Sequence, residues 1–333
     1  MPSRADLLTT DVARAAEALR RGGLVAIPTE TVYGLAADAR QPAAVARIFD
    51  VKGRPTGHPL IVHIAGYENI DGWLGEVSPS TARDIARLAG ACWPGPLTML
   101  VPRGPSVIDA VTGGRPTVGL RAPAHPLTLE LIGALGTGLA APSANRFGRV
   151  SPTTAQHVLD DLGAWLDPRT DAVLDGGPCP VGVESTIVDV TTSPPQVLRA
   201  GAIMADDVES ILAGPVAEAA GPSRASGMLA AHYAPESEVV LVDDRQEAAR
   251  EEHRRSAVGQ RVRVLDRTDD LVVAARELYA DLRHADRDRL DALIVVLPPG
   301  AGLGHALRDR LVKAAAGSRR SHPDRQSPPS RER

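Results

Sequence analysis

Short apolar runs, each bounded by turn residues and separated by segments of helical period, restrict this chain more than any other feature. The runs at 24–28, 60–64, 97–101, 117–121, 139–142, 172–174 and 186–190 have strand length and too few residues for a buried helix. Helical patterns fall between several of them, at 41–50, 79–91, 126–135 and 153–162. Ahead of the first run, Val12, Ala15, Ala16 and Leu19 recur on one face of a helix over 11–21, with Thr10 as its cap and Gly22-Gly23 as its stop. Strands interleaved with helices predict an α/β domain around a mixed, covered sheet.

The pattern then breaks and resets. From about residue 201 the sequence turns Gly-, Ala-, Pro- and Ser-rich, which predicts a linker over 204–237. Strands at 239–242, 262–266 and 292–297 follow, alternating with helices at 245–255, 270–285 and 304–315. Three such units predict a small Rossmann-like domain with a parallel sheet. A length of 333 residues agrees with two domains, 8–203 and 238–316, leaving 317–333 as a polar, disordered tail. No apolar run approaches a membrane span and the N-terminus has no apolar signal region, so a soluble, cytoplasmic protein without membrane contact is expected.

Candidate chemistry gathers where strands end. Thr29, Glu30, Thr31 and Tyr33 follow the first run, at the carboxyl end where open α/β sheets bind ligands, although a capped turn would use the same residues. Lys52 and Arg54 flank Gly53 and could converge on one anion, or form an ordinary solvated face. Of the 37 basic residues only Lys52 and Lys313 are lysines, and a compact ammonium is not interchangeable with a guanidinium at a phosphate. Arg121 ends an apolar run and requires a carboxylate or phosphate partner. His63 lies within a run, where a satisfied core histidine is the ordinary outcome. Ser143, Asn145 and Ser151 follow another strand with donors and acceptors suited to phosphate or ribose; Glu184, Ser185 and Arg199 complete the set.

Several enzyme classes are excluded by signature. There is no G-x-x-x-x-G-K-[ST] loop, no G-x-G-x-x-G after the first strand, no G-x-S-x-G elbow, no H-E-x-x-H and no C-x-x-C. Cys92 and Cys179 are too few for a disulfide framework or a zinc site. The residues themselves describe a strand-end cleft that gathers cations and hydroxyls around an anionic ligand.

At these positions the chain resembles the Sua5/YrdC/YwlC family of L-threonylcarbamoyladenylate synthases, in its two-domain Sua5 type. The matching stretches are PTETVYGLAADA at 28–39, KGRPTGHPLIVHI at 52–64, WPGPLT at 93–98, TVGLRAPAHP at 117–126, AAPSAN at 140–145, SPT at 151–153, GVESTIVD at 182–189, LRAGAI at 198–203, HYAP at 232–235 and GLGHALRDRLVKAA at 302–315. The resemblance implies a YrdC-like twisted mixed-sheet domain with a strand-end ligand cleft, plus a small Rossmann-like C-terminal Sua5 domain. It implies a nucleotidyltransferase that converts L-threonine, bicarbonate and ATP to threonylcarbamoyl-AMP and pyrophosphate, with Mg²⁺ accompanying ATP. This is the first step towards the N6-threonylcarbamoyladenosine of tRNA, so the partners implied are these substrates and the downstream tRNA threonylcarbamoyl transferase machinery.

Carried over by position, Thr31, His63, Arg121, Ala141 and Ser185 would hold L-threonine. Lys52, Arg54, His58, Thr117, Ser143, Asn145, Ser151, Arg199 and Tyr233 would surround ATP, with Lys52 and Arg54 nearest the chemistry. Tyr233 would make 220–236 a lid over the nucleotide. No metal-ligand residues are implied. His58 stands where the family often has Asn, which gives that contact a pH sensitivity.

Two other functions fit less of the sequence. A carbamoyl-phosphate-using relative would carry zinc-finger cysteines that this chain does not have. An RNA-binding module would need more than a net charge of −4 with 3 Trp, 4 Tyr and 2 Phe, so stable tRNA binding is not expected.

Overall fold

The computed structural model describes residues 4–222, 224–228 and 232–320. Its first unit runs β1 (Leu8–Thr9), α1 (Val12–Arg20), β2 (Val25–Ile27), β3 (Gly34–Asp38), α2 (Pro42–Lys52), β4 (Ile61–His63), α3 (Pro79–Cys92), β5 (Leu97–Pro102) and α4 (Asp109–Thr112). It continues through β6 (Thr117–Arg121), α5 (Pro126–Leu135), β7 (Leu139–Ala140), α6 (Ala155–Leu162), β8 (Ala172–Leu174), β9 (Thr186–Asp189), β10 (Gln196–Arg199), α7 (Ala205–Leu212) and β11 (Ala217–Glu218). The strands form an 11-stranded sheet in the order β1-β8-β2-β3-β7-β4-β6-β5-β9-β10-β11. Parallel and antiparallel pairs alternate irregularly: β4–β6 and β5–β9 are parallel, whereas β2–β3, β4–β7 and β5–β6 are antiparallel. The mixed sheet is therefore as expected, and its central strands are buried at nearly every position because helices cover them.

Local signals account for most element ends. Asp11, not Thr10, caps α1, its carboxylate accepting from the Ala13 and Arg14 amides at 2.8 and 3.2 Å. Pro42 opens α2 and Gly53 closes it at φ +61°, a left-handed conformation suited to glycine. Strand β3 is absent from the sequence reading, because Gly34–Asp38 is made of small residues. It pairs back on β2 with Ile27 opposite Gly34, so residues 28–33 form a tight loop over the sheet end.

The expected linker is shorter than 204–237. Its first part folds as α7, whose Val208 and Leu212 enter the main core, and β11, which extends the sheet beside β10. The amphipathic pattern of ADDVESIL outweighs the Gly- and Ala-rich surroundings.

The second unit comprises β12 (Glu238–Val242), α8 (Arg245–Ser256), β13 (Val262–Leu265), α9 (Leu271–Arg287), β14 (Ala292–Val296) and α10 (Leu303–Arg320). The sheet is parallel as expected, but β14 lies in the middle, in the order β12-β14-β13. Helix α10 runs past 315, so residues 317–320 of the expected tail are helical, and Ser318 Oγ accepts from the Val239 amide at 3.1 Å. The rest of that tail, 321–333, lies outside the described residues. No helix among the described residues is long and apolar enough to cross a membrane.

The two units share a core. Val32, Val150 and Val183 pack with Tyr233, Leu278, Tyr279 and Leu311 in one cluster. Arg283 makes a two-pronged ion pair with Asp161 at 2.9 and 2.7 Å. Gly182, at φ +79°, sits so near α9 that a Cβ there would lie 2.4 Å from Arg276 Cα.

Candidate active site

A cavity opens where the 28–33 loop, the ends of β4 and β6, the loop after β7 and the β9–β10 pair meet Ser226, Gly227, His232 and Tyr233. Thr29 builds the first wall. Its hydroxyl donates to the Val32 carbonyl at 2.6 Å and accepts from the Thr31 and Val32 amides, which fixes the loop and holds the Thr31 hydroxyl 2.9 Å away. Both threonines are buried.

Parallel pairing of β4 with β6 sets His63 beside Arg121. Arg121 donates from Nη2 to Glu30 Oε1 at 2.5 Å and from Nε to the Gly95 carbonyl at 3.3 Å; no hydrogen bond engages Nη1 among the described residues. Glu30 is held in turn by the Ala124 amide at 2.9 Å. The partner required for a buried arginine is thus a protein carboxylate. Burial, reinforced by the Arg121 charge, lowers the His63 pKa to about 3, so its imidazole is neutral, and its Nδ1 has no hydrogen-bond partner among the described residues.

Two further arginines, Arg54 and Arg199, line the cavity. Arg54 is buried, donates to the Pro59 carbonyl at 3.0 Å and Ser226 Oγ at 3.3 Å, and leaves Nε without a partner among the described residues. Burial depresses its pKa to about 10. Arg199 donates to the Ser185 carbonyl and Ser185 Oγ, both at 3.0 Å, and to the Ser226 carbonyl at 3.2 Å. The Ser185 hydroxyl is also 2.8 Å from that of Thr98. Among the described residues neither arginine forms an ion pair, although each is more than nine-tenths buried. Buried guanidinium groups without a carboxylate are poised for an anionic ligand.

Ser226, Gly227, His232 and Tyr233 roof the cavity. Tyr233 is 1% exposed, takes φ +60°, and its hydroxyl has no hydrogen-bond partner among the described residues; burial, with Glu184 nearby, pushes its pKa up to about 12. His232 packs edge-on against it at 4.2 Å, and burial lowers its pKa to about 3. The second unit secures this roof, since Lys313 Nζ donates to the Gly227 carbonyl at 2.7 Å.

Glu184 joins both units. Its Oε1 accepts from Ser151 Oγ at 2.6 Å, and its Oε2 from the Tyr279 hydroxyl at 2.6 Å and Arg310 Nε at 2.9 Å. Burial alone would raise its pKa, but Arg310, Arg199 and the two hydroxyls bring it down to about 2.

Of the residues expected to hold L-threonine or ATP, Thr31, Arg54, His63, Arg121, Ala141, Ser143, Ser185, Arg199 and Tyr233 line the cavity. Five stand off it. Lys52 is buried below the loop after β7, donating to the Ser143 carbonyl at 2.6 Å and to the Asn145 carbonyl, and burial with the nearby Arg54 charge lowers its pKa well below the usual lysine value. Asn145 donates to the Arg146 and Arg149 carbonyls at 2.8 Å and leaves Oδ1 unpartnered. Ser151 serves Glu184. His58 is half-buried, edge-on to Phe147 at 5.4 Å. Thr117 begins β6 opposite Pro102, and four strand steps separate it from Arg121, about 13 Å at ordinary rise.

Of the other strand-end candidates, Thr29 and Glu184 line the cavity, whereas Glu30 pairs with Arg121 and the Tyr33 hydroxyl donates to the Gly177 carbonyl at 2.8 Å. Sequence reasoning did not single out Ser226 or His232, although His232 sits inside a recognised motif. Tyr279 and Arg310 were not singled out either, being an ordinary helix residue and one of many arginines.

Residues 17–201 match the Sua5/YciO/YrdC family, described as "Telomere recombination", and residues 202–316 match the family described as "Threonylcarbamoyl-AMP synthase, C-terminal domain". The threonylcarbamoyl-AMP synthase of Pyrococcus abyssi is 37% identical over 323 residues, covering 90% of this chain and 93% of that protein. That of Bacillus subtilis is 37% identical over 341 residues, covering 94% and 95%. The crystal structure of P. abyssi Sua5 complexed with L-threonine superposes with a TM-score of 0.85 at 36% identity, covering 92% of this chain and 94% of that one.

Proposed function

The chain belongs to the Sua5/YciO/YrdC family in its two-domain form, and from that premise we propose that its cavity joins L-threonine, bicarbonate and ATP into threonylcarbamoyl-AMP. The activity is that of a threonylcarbamoyl-AMP synthase, a nucleotidyltransferase that serves tRNA modification. One observation supports the placement of substrates: among the described residues lining the cavity, Arg54 and Arg199 are buried without an ion pair, whereas Arg121 is closed onto Glu30.

The unpaired guanidiniums suit the triphosphate, and the Thr31–His63–Arg121 side suits the amino acid. Arg121 would present Nη1 to the threonine carboxylate, with Glu30 holding the guanidinium in place. Neutral His63 and the Thr31 and Ser185 hydroxyls would meet the amine and hydroxyl of threonine. The threonine nitrogen bonds the bicarbonate carbon as water leaves, and a carbamate oxygen then attacks the α-phosphorus. The bond from that phosphorus to the bridging oxygen breaks and pyrophosphate departs. Such a reaction needs positioning and charge neutralisation more than a protein nucleophile. Lys52, by holding the 143–145 carbonyls, would shape the loop that carries Ser143 towards the nucleotide rather than touch the phosphates in this arrangement.

Among the described residues there is no cluster of carboxylates, histidines or cysteines fit to hold a metal, and Glu30 and Glu184 are committed to arginines. Mg²⁺ would enter with ATP, held mainly by phosphate oxygens and water, and would help neutralise the triphosphate charge. The reading further places the protein in the cytoplasm, handing its product to a tRNA threonylcarbamoyl transferase without stable tRNA binding of its own.

The deciding assay measures pyrophosphate release from ATP with each substrate withheld in turn. Release should require both L-threonine and bicarbonate; release that persists without threonine overturns the assignment.

A further inference from the structure

Glu184 is the one acidic side chain among the described residues lining the cavity, and it faces the same space as Arg54 and Arg199. A bare carboxylate there would repel an incoming triphosphate, because charges a few ångströms apart interact strongly where water is excluded. The compensation comes from the second unit. Arg310, on α10, is 0% exposed and reaches Glu184 Oε2 with Nε at 2.9 Å. Its Nη2 donates to the Ala200 carbonyl at 2.8 Å, and its guanidinium lies 5.4 Å from the Tyr233 ring centre. Glu184 and Ala200 are the chain neighbours of Ser185 and Arg199, so Arg310 grips the two strands beside the residues that bond each other across them. Tyr279 on α9 adds a second bond to the same carboxylate oxygen.

We propose that Arg310 is a positioning residue for the nucleotide: by neutralising Glu184 from the second domain, it makes the cavity able to accept the ATP triphosphate. This rests on the reading that the cavity takes ATP. It gives the C-terminal domain a defined part in catalysis, namely a buried counter-charge that is in place only when that domain is docked. Arg310 acts through Glu184 and does not itself line the cavity.

The test uses the full chain and the variants Arg310→Met, Glu184→Gln and the double variant. ATP affinity is measured by calorimetry without threonine or bicarbonate, and KM for each substrate and kcat by pyrophosphate release. Arg310→Met should weaken ATP binding about tenfold or more, with a much smaller change in the threonine KM. Glu184→Gln should leave ATP affinity unchanged or raise it. The double variant should return to within about threefold of the unaltered chain, because position 184 then carries no charge and Asp309, which also pairs with Arg310 at 2.6 Å, keeps its ion pair with Lys313 at 2.8 Å. A merely structural contact predicts that both single variants weaken ATP binding alike and that the double does not recover; either result overturns the proposal. Should Arg310→Met fail to fold, Glu184→Gln and the double variant decide by the same criteria. Lack of threonine-dependent synthesis by the unaltered chain would instead count against the functional reading, while the ATP titrations still judge the charge coupling.

Discussion

Substituting Arg121 by Ala should do two separable things. The arginine and Glu30 are 4% and 7% exposed and bonded at 2.5 Å, so removing one partner strands the other in a nearly dry site. Glu30 would retain only the Ala124 amide as a described partner. Breaking a buried pair in this way costs about 3–5 kcal/mol, whereas removing both charges is far milder. Arg121→Ala should therefore lower the urea midpoint markedly, and Glu30→Gln added to it should restore most of that loss. The threonine KM should behave differently. It should rise at least about tenfold in Arg121→Ala, as one charge-assisted bond to a carboxylate is worth roughly 1.5–3 kcal/mol, and it should stay high in the double variant. Unfolding followed by circular dichroism and steady-state pyrophosphate release measure the two effects. Equal stability of the single and double variants would refute the buried-pair argument. Recovery of threonine KM along with stability would refute a direct role for Arg121 in binding.

Lys52→Met removes two bonds to the 143–145 carbonyls and should raise the ATP KM or lower kcat well before it alters threonine affinity; equal effects on both substrates would displace Lys52 from the nucleotide side. Acid should destabilise the fold in two stages. His63 and His232, with folded values of about 3, bind protons in the unfolded chain first, so stability falls as pH drops below the unfolded value near 6.5. Glu184, held at about 2, adds a further loss below its unfolded value near 4.5. His63→Gln should shallow the fall of the unfolding midpoint between pH 6.5 and 4, and an unchanged slope contradicts this account. Chelation with EDTA should abolish synthesis until Mg²⁺ is restored yet leave the melting temperature of the ATP-free chain unchanged; a large fall would reveal a metal bound by the protein itself.

The strands at the middle of the main sheet were legible because both of their faces are covered, which forces continuous apolar runs at β5 and β6. Thr31, His63, Arg121 and Ser185, named from the motifs, line one cavity, since each sits at or beside a strand end. Strand β3 was not legible, because small residues carry little propensity and its pairing with β2 is settled by tertiary contact. Helix α7 was hidden by the composition around it.

The sequence by itself determined the α/β alternation, the two-domain division in outline, and which polar side chains cluster at the strand ends. All of these follow from local periodicity and from the cost of burying charge. Only the tertiary structure decided what each charge meets. It gave Arg121 a protein carboxylate, left Arg54 and Arg199 without an ion pair among the described residues, and turned Lys52 towards two carbonyls. It also brought Arg310 to Glu184 across 126 positions of chain. Electrostatic energy depends on separation in space and on the exclusion of water, and neither quantity is written in the spacing of residues along the chain.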